Sequence, residues 1–137
     1  MLFQINGMEE HIHILSDLHP SIALADYIRD IKISTSKWMK SSGFFPDFKG
    51  WGIKYCALTY SYDDRNTIIN YIKNQQEHHK KENFQDEIRR VFRENGIDLE
   101  EKWFWVDSWT PTEFLRGVLL SFPELRFAYS GLSMFHT

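Results

Sequence analysis

His11, Ile12 and His13 place two imidazoles at positions i and i+2. On a β-strand, side chains alternate between faces, so both rings fall on one side, where their nitrogens can meet at a single metal ion. Strand histidine pairs also serve as pH sensors and occur in cupins and histidine-triad nucleotide hydrolases. The triad type needs a third histidine two residues further on, and Leu15 stands there. The second group is Tyr71-Ile72-Lys73-Asn74-Gln75. Positions i and i+4 share a helix face, so Tyr71 and Gln75 present a phenol beside an amide oxygen. Taken alone, that pair suits a half-buried tyrosine and a surface glutamine better than a site. Together the two groups describe one chemistry. Tyrosine can act as a covalent nucleophile, attack on a phosphodiester needs its charge neutralised, and a divalent ion does this as a Lewis acid. Two imidazoles and an amide oxygen leave coordination positions for water and a phosphate oxygen. That set is compatible with Mg2+ or Mn2+, although imidazole is softer than Mg2+ prefers.

The flanking patterns indicate how these residues are held. Residues 2–5 are apolar and Asn6-Gly7 is a hairpin signal, so residues 10–15 read as the returning strand. Ile12 and Ile14 then face away from the histidines. Pro20-Ser21 opens a helix with Ser21 as cap, and Leu24, Tyr27, Ile28, Ile31, Thr35 and Trp38 form its buried stripe. Arg29, Lys32, Ser36 and Lys40 run down another row, with Lys37 beside it. Residues 41–50 read as a loop and 51–60 as a strand. Ser61 and Asp64 make a capping-box pattern opening the helix of Tyr71 and Gln75, which is expected to reach about Lys81. A further helix starts near Phe84, with Phe84, Ile88, Val91 and Phe92 inward, and stops at Asn95-Gly96. Residues 99–106 read as extended and 110–122 as helical.

The bulk numbers bound the possibilities. A chain of 137 residues, 42% hydrophobic and 16% aromatic, can build one domain with a core. The net charge of -3 lacks the basic excess common in nucleic-acid binders. The balance is uneven, however: residues 1–81 hold ten Lys/Arg and nine Asp/Glu, residues 82–137 six and ten. A DNA surface is therefore expected in the first part. The single cysteine, Cys56, excludes an internal disulfide and fits a reducing cytoplasm. No apolar run approaches the ~20 residues that span a bilayer, and no signal-peptide pattern opens the chain.

Five ordered blocks resemble the single-tyrosine DNA transposases of the HUH nuclease superfamily, the insertion-sequence-200-like and REP-associated tyrosine transposases. Ile5-Asn6-Gly7-Met8 and Glu9-Glu10 before His11–Leu15 look like their metal-binding strand. Ile31-Lys32 with residues 34–38 looks like the next helix, and Trp51, Tyr55, Ala57 and Ser61 like the following strand and turn. Tyr71-Ile72, Asn74-Gln75 and His78-His79 match the tyrosine helix. Phe84 through Gly96-Ile97, with Trp103-Phe104-Trp105, matches the region after it. The resemblance covers about residues 4–105. The boundary read from it is a catalytic domain over 1–106 and a C-terminal extension over 107–137.

The resemblance implies an α+β fold, an antiparallel sheet with packed helices related to the ferredoxin-like fold. It implies His11, His13 and Gln75 as metal ligands for Mg2+ or Mn2+, and Tyr71 as the nucleophile that forms a 5′-phosphotyrosine. It also implies single-stranded DNA with hairpin ends as substrate. Arg29, Lys32, Ser36, Lys37 and Lys40 are the expected DNA contacts, since phosphate contacts dominate such binding; an ordinary solvated helix face is the other reading of that row. Phe44, Phe45 and Phe48 could stack on unpaired bases, Lys54 and Lys73 are weaker contacts, and His78-His79 reads as a surface pair. The family has a further strand and helix before this block, so the chain is expected to be N-terminally incomplete, with an open sheet edge that a homodimer would cover. Cys56 stands where the family has glycine. Two alternatives stay open on sequence: a non-catalytic DNA-binding remnant of this ancestry, and a metal-dependent nucleotide phosphodiesterase.

Overall fold

The computed structural model describes residues 1–9, 11–52, 55–98 and 117–123. Strand β1 (Leu2–Gly7) pairs antiparallel with β2 (His11–Ser16), with Asn6 opposite His13 and Gly7 opposite Ile12. The Asn-Gly pair therefore lies inside β1, and the chain reverses beyond it, where the Met8 amide donates to the His11 carbonyl at 2.9 Å. Gly7 is needed for close approach rather than for a turn conformation. A Cβ there would run into the His11 carbonyl oxygen and come within 2.8 Å of Ile12 Cα.

Helix α1 (Leu24–Ser42) starts two residues later than Ser21 as cap implies, without a side-chain cap, and ends at Gly43 in the left-handed region. Ile28 is its one buried residue, and Trp38, expected inward, is 57% exposed against Phe45. Strand β3 is Tyr55–Tyr60. A 3-10 turn (Tyr62–Asp64) leads into α2 (Arg65–Lys73), followed by the short α3 (Gln75–His78). The Ser61 hydroxyl bonds the Asp64 carboxylate instead of a backbone amide. The single helix expected to reach about Lys81 is thus broken at Asn74, whose side chain donates to the Asn70 carbonyl and competes for it with the Asn74 amide. Helix α4 (Phe84–Glu94) follows expectation: Asn83 accepts from the Asp86 amide, Phe84, Ile88, Val91 and Phe92 are buried, and Gly96 follows with positive φ.

Strand β4 (Gly117–Pro123) corrects the helical reading over residues 117–122, while 110–116 lie outside the described residues. It lies between β2 and β3 in the order β1-β2-β4-β3 and runs parallel to both. The fold is α+β as expected. The β1–β2 pair is antiparallel, and β4 makes the whole sheet mixed. A short apolar run flanked by Gly and Pro suits a central parallel strand, and such runs carry no alternation to set them apart from helix.

Each sheet face has its own core. Ile14 and Tyr55 pack with Ile28 of α1, joined by Ile12 and Ala57. Cys56 and Leu58 pack with Phe84, Ile88, Val91 and Phe92 of α4 on the other side. The alternation of β2 and β3 thus assigns α1 to one face and α4 to the face of the histidines. The described residues include no helix long and apolar enough to cross a membrane.

Candidate metal centre and nucleophile

His11 and His13 are buried to 1% exposure, with their Nε2 atoms 3.1 Å apart. Strand alternation puts both on one face, as their spacing predicts, and the His11 ring stacks on Phe84 at 4.3 Å. Facing them is a carboxylate that sequence reasoning missed. Glu87 of α4 is fully buried, with Oε2 3.3 Å from His11 Nε2 and Oε1 3.3 Å from His13 Nε2. His79 closes the group, its Nε2 3.1 Å from Glu87 Oε2. One ligand atom from each of His11, His13, His79 and Glu87 can be chosen so that all lie within 4.8 Å of one another, so these residues can hold a metal ion. His79 is therefore no surface residue: its side chain is 4% exposed, because the turn after α3 carries it inward.

Tyr71 and Gln75 meet at the same carboxylate. The Tyr71 hydroxyl donates to Glu87 Oε1, and Gln75 Nε2 approaches that oxygen at 3.4 Å. Gln75 Oε1 lies 3.1 Å from His79 Nε2, so its amide bridges His79 and Glu87. Arg90, one turn along α4 from Glu87, donates from Nη2 to the Tyr71 oxygen at 3.0 Å while pairing with Glu82 and Glu94. An open depression of about 360 Å³ lies beside Tyr71, lined by Asn70, Asn74, Glu77, His78 and Lys81.

Strand β1 fixes the tyrosine helix. Asn6 Nδ2 donates to the carbonyls of Ile72 at 3.0 Å and Lys73 at 3.1 Å, the last turn of α2, and Asn6 Oδ1 accepts from the Gly7 amide. One side chain thus ties the helix of Tyr71 to the strand paired with the histidines. The electrostatics follow from burial. Desolvation pushes the His13 imidazole below its ordinary value, against the pull of Glu87. Burial pushes the Glu87 carboxyl up, but hydrogen bonds from His11 and His13 outweigh it and hold the group well below the carboxylate range. Burial and the Glu87 carboxylate push the Tyr71 phenol above its ordinary value. The Arg90 guanidinium is raised by its bond to Glu82.

The basic row of α1 lies on the helix packed against the opposite sheet face. Arg29 is ion-paired with Asp26 at 2.7 Å and Asp30 at 3.5 Å. Lys32 turns inward, donates to the Gly52 carbonyl at 2.8 Å, and burial lowers its pKa to about 8. Ser36 is half-buried, and Lys37 and Lys40 are exposed. Phe44 and Phe45 are exposed, whereas Phe48 packs on Trp51. Lys73 is exposed at the end of α2. Glu10, Lys54 and residues 99–116 lie outside the described residues, as does the Trp103-Phe104-Trp105 block.

A signal for Glu87 was present in the sequence. It follows Phe84 by three positions and precedes Val91 by four, so the apolar stripe of α4 carries it inward, and a carboxylate on such a stripe needs partners. His79 likewise follows Gln75 by four positions.

Comparison with protein families matches the model described as "Transposase IS200 like" over residues 1–75, more than half of the 137-residue chain. His11, His13, Tyr71 and Gln75 fall inside that stretch, and His79 and Glu87 beyond it. No curated protein and no solved structure matches.

Proposed function

Since the chain belongs to the IS200-like transposases, we propose that it cuts and rejoins single-stranded DNA through Tyr71, with a divalent ion, Mg2+ or Mn2+, held at His11 and His13 and with Gln75 in the set. One observation carries this reading: the Tyr71 hydroxyl and both histidine nitrogens converge on one buried carboxylate beside an open depression. Such a convergence of a nucleophile with metal-binding side chains is what phosphoryl transfer to tyrosine requires.

In the proposed reaction the Tyr71 oxygen attacks phosphorus and the bond to the 3′-oxygen breaks. The leaving strand takes up a proton as a free 3′-hydroxyl, and the 5′ side stays on Tyr71 as a phosphotyrosine. A second 3′-hydroxyl then attacks that phosphorus, and the tyrosine oxygen leaves and regains a proton. The bond energy is conserved throughout, so no external energy source is needed. Glu87 accepts the Tyr71 proton in a hydrogen bond, and Arg90 places positive charge at the same oxygen. The bound ion supplies Lewis-acid stabilisation of the phosphate charge.

The substrate of this reading is single-stranded DNA with hairpin ends, and the partner is a second copy of the chain. Among the described residues, strand β1 lies at a sheet edge with Leu2 and Ile5 about half exposed, which supports pairing there. Of the basic row, Lys37 and Lys40 remain the DNA contacts of choice, and Lys81 is the cation at the depression.

The test is a library of labelled hairpin-bearing single strands mixed with protein and Mn2+. A denaturation-resistant adduct that vanishes in Tyr71→Phe and with chelator is the expected result. Folded, metal-bound protein that binds DNA but yields no adduct would replace this reading with a DNA-binding remnant.

A further inference from the structure

The four buried donors Nε2 of His11, Nε2 of His13, Nε2 of His79 and the Glu87 carboxylate come from three places in the chain: β2, the turn after α3, and α4. Their neighbouring distances are 3.1, 3.3, 3.3 and 3.1 Å. Ligands bonded at ~2.1 Å to one ion stand about 3.0 Å apart across an octahedral edge and about 3.4 Å apart across a tetrahedral one. Those four spacings, two of them to Glu87 Oε2 and one to Glu87 Oε1, lie in that interval, while the whole set spans up to 4.8 Å and closes by a few tenths of an ångström when one ion draws it together.

We propose that Glu87 and His79 are direct ligands alongside His11 and His13, that Gln75 is a positioning residue bridging the two added ligands, and that the site takes a borderline transition ion such as Mn2+ or Zn2+ in preference to Mg2+. This rests on reading the site as a metal centre, and within that reading it replaces Gln75 as a ligand by Glu87 and His79 and narrows the ion class. Three imidazoles and one carboxylate form a nitrogen-rich set, whereas Mg2+ selects oxygen and keeps most of its water. Gln75 spends its amide oxygen on His79 and its amide nitrogen on Glu87. Glu87 Oε1 also accepts the Tyr71 hydroxyl, so the same carboxylate ties the metal donors to the nucleophile.

The test follows the full-length protein by NMR as one equivalent of Zn2+ is added. The ring nitrogens of His11, His13 and His79 and the carboxylate carbon of Glu87 are expected to shift, while those of His19 and His78 do not. This measurement needs no variant and so does not depend on a buried substitution folding. In parallel, Mn2+ affinity is expected to fall by about 100-fold or more in Glu87→Gln. In Gln75→Leu it should fall by about 10-fold, as for a group that only orients ligands. Mg2+ should bind at least about 100-fold more weakly than Mn2+. Shifts confined to His11 and His13, with binding lost in Gln75→Leu and kept in Glu87→Gln, overturn the proposal and leave the metal centre standing. Folded wild-type protein that binds none of these ions overturns both.

Discussion

Replacing Asn6 with alanine tests whether the site is held together through β1. Asn6 Nδ2 is bound to the Ile72 and Lys73 carbonyls and its Oδ1 to the Gly7 amide. A net intramolecular hydrogen bond contributes about 0.5–1.5 kcal/mol. The exposed Lys73 carbonyl can turn to water, so its loss belongs at the low end, whereas the half-buried Ile72 carbonyl is less easily rehydrated. Asn6→Ala is therefore expected to cost about 1–2 kcal/mol. With a urea slope of about 2 kcal/mol/M, the midpoint in chelator falls by roughly 0.5–1 M. Asn6→Asp should be worse by about 0.5–1 kcal/mol at neutral pH, because it sets a carboxylate against two carbonyls at the negative end of α2. Part of that extra loss should return below pH 4, where the carboxyl becomes a donor again. Under the transposase reading, the rate of Tyr71 adduct formation in Asn6→Ala drops by about 10-fold as the nucleophile loses its fixed approach. Urea curves within 0.3 kcal/mol of wild type for Asn6→Ala, together with an Asn6→Asp no worse than it, would refute the tether.

Three further outcomes are expected. Gly7→Ala drives a Cβ against the His11 carbonyl and Ile12 backbone, so it should destabilise by about 2–3 kcal/mol in urea unfolding, while an exposed control such as Gln76→Ala stays within about 0.5 kcal/mol. Lys32 should titrate at about 8 in NMR of methylated lysines. Because its folded value lies below the unfolded one, the unfolded chain holds the extra proton between about pH 8 and 10.5, and the stability of wild type relative to Lys32→Met should rise across that window; a Lys32 titration above 10 would contradict its burial. Cys56, buried with its thiol pushed up to about 12, should react with thiol reagents at pH 8 at least about 10³-fold more slowly than in unfolded protein. Its raised value also means that stability is lost as pH climbs from 9 toward 12, relative to Cys56→Ala.

Locally determined features were legible in the sequence. The pairing of His11 with His13 follows from the two-residue period of a strand, and the apolar face of α4 from the helical period, because each depends only on backbone geometry within a few residues. The motif order also carried the family, whose match ends at Gln75. Features that depend on partners far along the chain were not legible. Asn6-Gly7 has the propensity of a turn, but Asn6 serves as a tether because helix α2, some 66 residues later, ends beside it. Residues 117–123 have no alternating pattern, and only the gap between β2 and β3 makes them a strand. The basic row on α1 has helical periodicity, yet nothing local could show that α1 covers the face opposite the histidines or that Lys32 turns to Gly52. Glu87 joins both cases. Its inward direction is a matter of helical period, and sequence alone determines that much. Its function as the carboxylate between three histidines and a tyrosine exists only once β2, α2, α3 and α4 are packed, because a buried charge is tolerated only where tertiary structure brings donors to it.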